Sequence, residues 1–302
     1  MSNRGKPQWL KIKPPSTGQF IKIKETLKKY NLHTVCEESH CPNIPECWSG
    51  GTATFMILGD VCTRGCRFCQ VNASAKGKPI DPYEPIKLAY AIKEWNLDYI
   101  VITSVDRDDL EDQGSDHFAK CIDEVKKRIP GLIVEVLIPD FRGDEGCLKK
   151  VVDAKPEVIA HNVETVRRLQ SEIRDRRAGY EQSLSVLANV KKLNPKIFTK
   201  SSIIVGFGET DEEILQTMKD LRAVGVDILT IGQYLRPSDW HLPVAAYVPP
   251  EKFEFYKAMA EDMGFLYVAS GPFVRSSYRA GELFVKNVIK NNELLKTQPS
   301  LI

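Results

Sequence analysis

Thr54-Phe-Met-Ile-Leu-Gly59, followed after Asp60 by Val61-Cys-Thr-Arg-Gly-Cys-Arg-Phe-Cys69, joins an apolar run of strand length to a short polar loop that carries Cys62, Cys66 and Cys69. Three thiols spaced C-x3-C-x2-C share a metal or a cluster, because thiolate is a soft ligand that favours zinc, cuprous copper and iron–sulfur clusters. A structural zinc site usually completes such a set with a histidine, yet the next one is His117. A 4Fe-4S cluster held by these three cysteines alone leaves one iron open to a small molecule. A loop at the carboxyl end of a strand is also where α/β barrels place their chemistry.

Outward from this loop, short β-branched runs alternate with amphipathic stretches, the pattern of parallel strands covered by crossover helices. Strands are expected at Thr54–Leu58, Tyr99–Thr103, Ile133–Ile138, Glu157–His161, Thr199–Val205 and Asp227–Gln233, with a shorter one at Phe265–Ala269. Thr210-Asp-Glu-Glu213 reads as a capping box, and Ile214, Leu215, Met218, Leu221 and Val224 after it fall on one helix face as core packing. The expected fold is therefore α/β, a partial (β/α)6 TIM-type barrel over residues 51–270, with an N-terminal extension over 1–50 and a C-terminal extension over 271–302.

At 302 residues with 42% hydrophobic content, the chain can bury a sizeable core. Its 42 basic and 40 acidic residues leave a net charge of +2, so no global field favours nucleic acid or an anionic membrane. No stretch of about 18 uncharged apolar residues is present to span a bilayer, and the amino terminus lacks the apolar run of a signal peptide. The chain reads as soluble and cytoplasmic, where its eight cysteines stay reduced and a disulfide framework is not expected. The first 24 residues hold six Lys or Arg and no acid, with Pro7, Pro14 and Pro15 against a helix, and are expected to form a solvated basic arm.

Upstream, Val35-Cys-Glu-Glu-Ser-His-Cys-Pro-Asn-Ile-Pro-Glu-Cys-Trp48 places Cys36, Cys41 and Cys47 in a second triad, with Pro42 and Pro45 enforcing an extended path between ligands. Spacing alone leaves two readings open, a second cluster or a zinc site completed by His33 or His40. Cys121 and Cys147 lie in amphipathic runs and read as inert core residues.

The C-x3-C-x2-C loop resembles the signature of the radical S-adenosylmethionine (SAM) superfamily, in which the open iron chelates SAM. The resemblance narrows over nearly the whole chain to the lipoyl synthase family. It is carried by both cysteine segments and by Thr103-Ser-Val-Asp-Arg-Asp-Asp-Leu110, His161-Asn-Val-Glu-Thr165, Val205-Gly-Phe-Gly-Glu-Thr210, Gly232-Gln-Tyr-Leu-Arg-Pro237 and Arg275-Ser-Ser-Tyr278. The resemblance implies an enzyme, a sulfurtransferase that inserts two sulfur atoms at C6 and C8 of an octanoyl chain carried on a lysine. It implies SAM and two 4Fe-4S clusters as cofactors, one on Cys62, Cys66 and Cys69. The other, a sulfur source, would be held by Cys36, Cys41, Cys47 and Ser277, with Ser276 the alternative serine. Such carbons are unactivated, so the hard step belongs to the cofactor.

By the same resemblance, Thr103, Ser104 and Asp106 are expected to hold the SAM amino acid moiety, although a turn and helix cap would also account for them. Asn162 and Glu164 are expected near the ribose, Glu164 being equally suited to the positive end of a following helix. Gly206-Phe-Gly-Glu209 lets backbone approach the adenosine. Lys200 is expected inside the barrel mouth near a carboxylate, with snorkelling at an edge the alternative. Arg275 is expected to order the tail. Ser202-Ile203-Ile204 departs from the glycine and methionine expected before the Val205-Gly206 turn. Implied partners are an octanoylated carrier, either glycine cleavage H protein or a 2-oxoacid dehydrogenase E2 lipoyl domain, and a ferredoxin- or flavodoxin-type electron donor, with no nucleic acid or membrane. The rivals are another radical SAM sulfur-inserting enzyme and a non-enzymatic carrier or zinc-stabilised module.

Overall fold

The computed structural model describes residues 7–10, 18–49, 53–277, 285 and 288. Helix α1 (Gly18–Tyr30), strand β1 (His33–Thr34) and helices α2 (Val35–Glu38) and α3 (Ile44–Ser49) come first; strand β2 (Thr54–Ile57) then leads into a ribbon of β3 (Val61–Cys62) and β4 (Asn72–Ala73). Alternation follows: α4 (Glu84–Trp95), β5 (Tyr99–Ser104), α5 (Ser115–Arg128), β6 (Ile133–Leu137), α6 (Glu145–Asp153), β7 (Val158–Ala160), α7 (Gln170–Ile173), α8 (Tyr180–Leu193), β8 (Phe198–Val205), α9 (Asp211–Ala223), β9 (Ile228–Gln233), α10 (Pro250–Asp262) and β10 (Tyr267–Gly271). One sheet runs β1-β2-β5-β6-β7-β8-β9-β10. Every pairing in it is parallel except β1 with β2. Its edges do not pair with each other, so the sheet is an open barrel, the partial barrel that the alternation of strands and helices predicts. The capping box at Thr210 and Glu213 forms as expected.

Period two along the strands sorts their inward side chains into layers. The first residues of β5, β6, β7 and β9, which are Tyr99, Ile133, Val158 and Ile228, pack together with Phe198 and Tyr267 as an apolar floor. Two residues on, Val101 pairs with Glu135, and Lys200 lies between Ala160 and Ile228. Lys200 is 1% exposed, its Nζ 2.6 Å from Glu135 Oε1, and the Tyr99 hydroxyl also donates to Glu135. Two residues higher still come Thr103, Leu137 and Ser202, which border open space, and Gly232, over which the Val274 carbonyl lies.

The amino-terminal segment departs from expectation. Lys22 and Lys24 belong to α1, whose Ile23 and Leu27 are buried and whose Phe20 ring lies 5.1 Å from Trp48 of α3. A one-sided apolar stripe outweighs the charge of the polar face, so this part is a packed helix rather than a solvated arm. Pro14 and Pro15 lie outside the described residues, as do residues 1–6.

Candidate active site

The cluster loop is built at the end of β2. Leu58 and Gly59 take left-handed conformations, with φ of 68° and 90°, and turn the chain out of the sheet. Leu58 is clamped on both sides: its N–H donates to Glu84 Oε2 at 3.0 Å and its carbonyl accepts from Arg107 Nη1 at 3.1 Å. The β3–β4 ribbon then closes the base of the loop. Loop backbone is tied to the neighbouring barrel loops, Thr63 N–H to the Asp106 carbonyl at 2.9 Å and Arg67 N–H to the Ile173 carbonyl at 2.8 Å.

Each sulfur of the triad receives a backbone N–H: Cys62 from Arg64 at 3.4 Å, Cys66 from Asp175 at 3.3 Å, and Cys69 from Val71. Such donors favour thiolate. Burial opposes it, pushing Cys66 to about 12 and Cys69 to about 11, and Cys62 higher still with Asp106 adding to the effect. Bound iron supplies the positive charge that reverses this balance. Among the described residues, the sets of three ligating atoms that converge within 4.8 Å are Glu84, His117 and Cys121, and His33, Glu38 and Asp60. Neither cysteine triad converges so tightly, whereas thiolates at about 2.3 Å from one tetrahedral zinc stand roughly 3.8 Å apart. The soft-donor chemistry of the triads fits iron–sulfur clusters; His33 stands 3.5 Å from Glu38, and His40 lines the cavity above the barrel beside Cys41.

Arg64 staples the loop to the ends of β5 and β6. Its guanidinium meets Asp108 at 2.9 and 3.0 Å, Asp140 at 2.7 and 2.7 Å, and Asp106 at 3.3 Å. Although burial works against it, Asp108 is held down at about 2 by hydrogen bonds from Arg64 and Arg142. Asp106 moves the other way, to about 6, because burial and its neighbours Asp140 and Asp108 outweigh the attraction of Arg64. Its Oδ2 stands 3.8 Å from Cys62 Sγ.

Above the barrel layers opens a cavity of about 520 Å³. Cys62, Cys66 and Cys69 face it, and so does Cys41. Among the residues singled out from the sequence, Thr103, Ser104, Asp106, Asn162 and Glu164 line it, as do Arg275 and Ser276. The Thr103 hydroxyl is engaged by the Leu137 carbonyl at 2.9 Å. Ser104 Oγ and Asn162 Oδ1 are buried without a hydrogen-bond partner among the described residues, which is what a polar ligand would satisfy. Glu164 is raised by burial, partly opposed by Arg174.

Lys200 is corrected: it faces into the barrel beside a carboxylate but one layer beneath the cavity, which it does not line. A lysine this deep is tolerated because Glu135 pairs with it. Cys36 and Cys47 do not border the cavity, and neither does Ser277. Tyr278, the last residue of the Arg275 motif, lies outside the described residues. Cys121 and Cys147 are buried in α5 and α6.

Sequence reasoning passed over a hydrogen-bonded chain on the cavity wall. His161 Nδ1 meets the Ile138 carbonyl at 2.9 Å, so that nitrogen carries the proton, and Nε2 accepts from the Ser183 hydroxyl at 3.0 Å. Ser183 Oγ in turn accepts from Arg174 Nη1 at 2.9 Å. Arg174 sits in a charge-rich run, Ser171-Glu-Ile-Arg-Asp-Arg-Arg177, whose composition suggests a solvated surface. Only the neighbouring Ile173 hinted at burial.

An open parallel barrel with a three-cysteine loop on its first parallel strand defines the class, a radical SAM enzyme. A family model described as the radical SAM superfamily matches residues 56–221. Solved structures of similar fold include a methylornithine synthase (TM-score 0.52, 13% identity, 94% of this chain and 89% of that one) and the FeFe-hydrogenase maturase HydG from Carboxydothermus hydrogenoformans (TM-score 0.52, 11% identity, 90% and 78%). A second model, the N-terminal domain of lipoyl synthase, matches residues 2–41. The lipoyl synthase of Halobacterium salinarum strain R1 is 58% identical over 298 residues, covering 97% of this chain and 95% of its own. That of Anaeromyxobacter sp. strain Fw109-5 is 59% identical over 281 residues (93% and 95%), and the chloroplastic enzyme of Arabidopsis thaliana 56% over 295 (96% and 75%). The chain belongs to the lipoyl synthase family, and it is a sulfur-inserting radical SAM enzyme with SAM and 4Fe-4S clusters as cofactors.

Proposed function

We propose that the two cysteine triads divide the reaction between them. Cys62, Cys66 and Cys69 hold the SAM-binding 4Fe-4S cluster, and Cys36, Cys41 and Cys47, with Ser277, hold the auxiliary cluster that gives up sulfur. The observation that carries this is a single cavity of about 520 Å³ onto which Cys62, Cys66, Cys69 and Cys41 all open. Bound there, these groups supply one-electron reduction, a 5′-deoxyadenosyl radical and sulfide for C6 and C8 of an octanoyl-lysine.

The chain's own part is to bind and orient. Asp106 and Ser104, at the end of β5 beside Cys62, take the amino acid part of SAM with Thr103 as their backing. Asn162 and Glu164 take the ribose. Arg64 offsets part of the negative charge of Asp106, Asp108 and Asp140 behind the loop and holds the three carboxylates in one cluster. The partners, lipoyl carrier proteins in general, are narrowed to the glycine cleavage H protein or an E2 lipoyl domain, with a ferredoxin- or flavodoxin-type donor. No nucleic acid or membrane takes part, and the enzyme works in the cytoplasm; among the described residues no helix is long and apolar enough to cross a membrane. Residues 1–50 serve as the auxiliary-cluster extension, 51–270 as the barrel, and 271–302 as the segment that brings the serine.

The test is anaerobic turnover of an octanoyl-lysyl peptide with SAM and a strong reductant, read by mass spectrometry beside quantified 5′-deoxyadenosine. Cys66→Ala should lose both products. Cys41→Ala should keep 5′-deoxyadenosine and lose sulfur insertion; a dithiolated peptide from Cys41→Ala would refute the division.

A further inference from the structure

Asn43 sits between two of the upstream cysteines and is 6% exposed. It makes three contacts at once. Its backbone N–H points to the Cys41 sulfur, its carbonyl accepts the Cys47 N–H at 2.9 Å, and its side-chain Nδ2 donates to the Phe273 carbonyl at 2.6 Å. The last bond spans 230 positions of sequence. Its direction is fixed by chemistry, since a carbonyl only accepts, so the amide NH2 must face Phe273.

Phe273 lies in a turn directly after β10, closed by Val274 N–H on the Gly271 carbonyl at 3.0 Å, with Pro272 inside it. Beyond the turn the strap crosses the barrel mouth. Its Val274 carbonyl lies so close over β9 that a Cβ at Gly232 would come within 2.0 Å of it, and Arg275 Nη1 donates to the Gln233 carbonyl at 3.3 Å. Asn43 and Gly232 therefore fix the strap from two independent sides, just ahead of Ser276 and Ser277. With at most about 3.3–3.6 Å of reach per residue, a strap released at Phe273 or Val274 cannot hold those serines in place.

We propose that Asn43 is a positioning residue: it couples Cys41 and Cys47 to the strap, so that the serine is already placed as the fourth ligand of the auxiliary site. This rests on the reading of Cys36, Cys41, Cys47 and Ser277 as that site.

The experiment uses a full-length chain with Cys62, Cys66 and Cys69 changed to Ala, which leaves the upstream triad as the cluster site. Iron loss to excess chelator is followed after anaerobic reconstitution. Asn43→Asp removes the donor and should speed iron loss roughly tenfold, the ratio for one well-made hydrogen bond. Gly232→Ala, which reaches the strap without touching Asn43, should do the same. Asn43→Asp combined with Ser277→Ala should be no faster than Ser277→Ala alone, because both act through one ligand. Iron loss at the parent rate in Asn43→Asp, or effects of the two changes that multiply, would overturn the role. A fast Asn43→Asp beside an unchanged Gly232→Ala would also overturn it, by confining the damage to the cysteine loop. Failure of the underlying site reading shows separately, as a parent chain that takes up no iron or keeps it after Cys41→Ala.

Discussion

Replacing Arg64 by Met preserves most of its volume and removes every charge-assisted bond it makes. Asp140 and Asp108, whose side chains are 0% and 4% exposed, then lose their principal counter-ion, while Asp108 keeps Arg142 and Arg177 at its outer edge. Removing one partner of a buried ionic cluster typically costs about 3–5 kcal/mol. With a urea slope near 3 kcal/mol/M, that moves the unfolding midpoint down by about 1–1.7 M. The loss has a pH signature. In the native chain Asp108 lies below its unfolded value, so its contribution is present above the unfolded pKa near 4 and disappears only as pH falls toward 2. Without Arg64 the buried carboxyls rise above the unfolded value instead, and the stability of the protonated forms is lost as pH rises. The deficit of Arg64→Met against the native chain should therefore be largest at pH 8 and shrink toward pH 5. Urea midpoints of the anaerobic holoprotein at the two pH values measure it. A midpoint within about 0.3 M of the native one, or a deficit that grows on acidification, would refute the stapling role.

Three further outcomes follow from the barrel interior and the cavity wall. Lys200→Met should destabilise by about 3–5 kcal/mol through the stranded Glu135, and Lys200→Met with Glu135→Leu should recover most of it. The KM for SAM should be unchanged in that double variant; a rise would return Lys200 to the cofactor site. His161 is held at about 4, chiefly by burial and then by Arg174, below its unfolded value near 6.5. The contribution of His161 should thus fall by up to about 3 kcal/mol between pH 6.5 and 4, so His161→Gln should gain in stability relative to the native chain over that window; a difference between the two that does not change with pH in denaturant titrations would contradict it.

The short β-branched runs at Tyr99, Ile133, Thr199 and Asp227 marked the strands to within two residues, because β-branched composition over strand length needs no partner to be seen. Both cysteine-rich segments stand out in the sequence by spacing alone, but the extended path expected around Pro42 and Pro45 is not what forms: Cys36 lies in α2, and Pro45 and Cys47 lie in α3. Helix α1 was misread because charge density is local, while the partners for its apolar face are the later helices α3 and α4.

What the sequence alone determined was thus what has its cause near in the chain: the strand and helix rhythm, the two cysteine-rich segments, the cap at Thr210. Depth and distance were decided by the tertiary structure. The sequence left Lys200 either inside the barrel or snorkelling at an edge, and only the register across β6, β7 and β8 puts it level with Glu135 and beneath the cavity. Arg64 looks like surface charge until three carboxylates contributed by other βα units surround it, and Arg174 until the buried Ser183 of the helix that follows it accepts its Nη1 hydrogen bond. The bond from Asn43 to Phe273 has no sequence signal at all, because the two residues meet only when the last strand returns to the side of the barrel where the first cysteines lie.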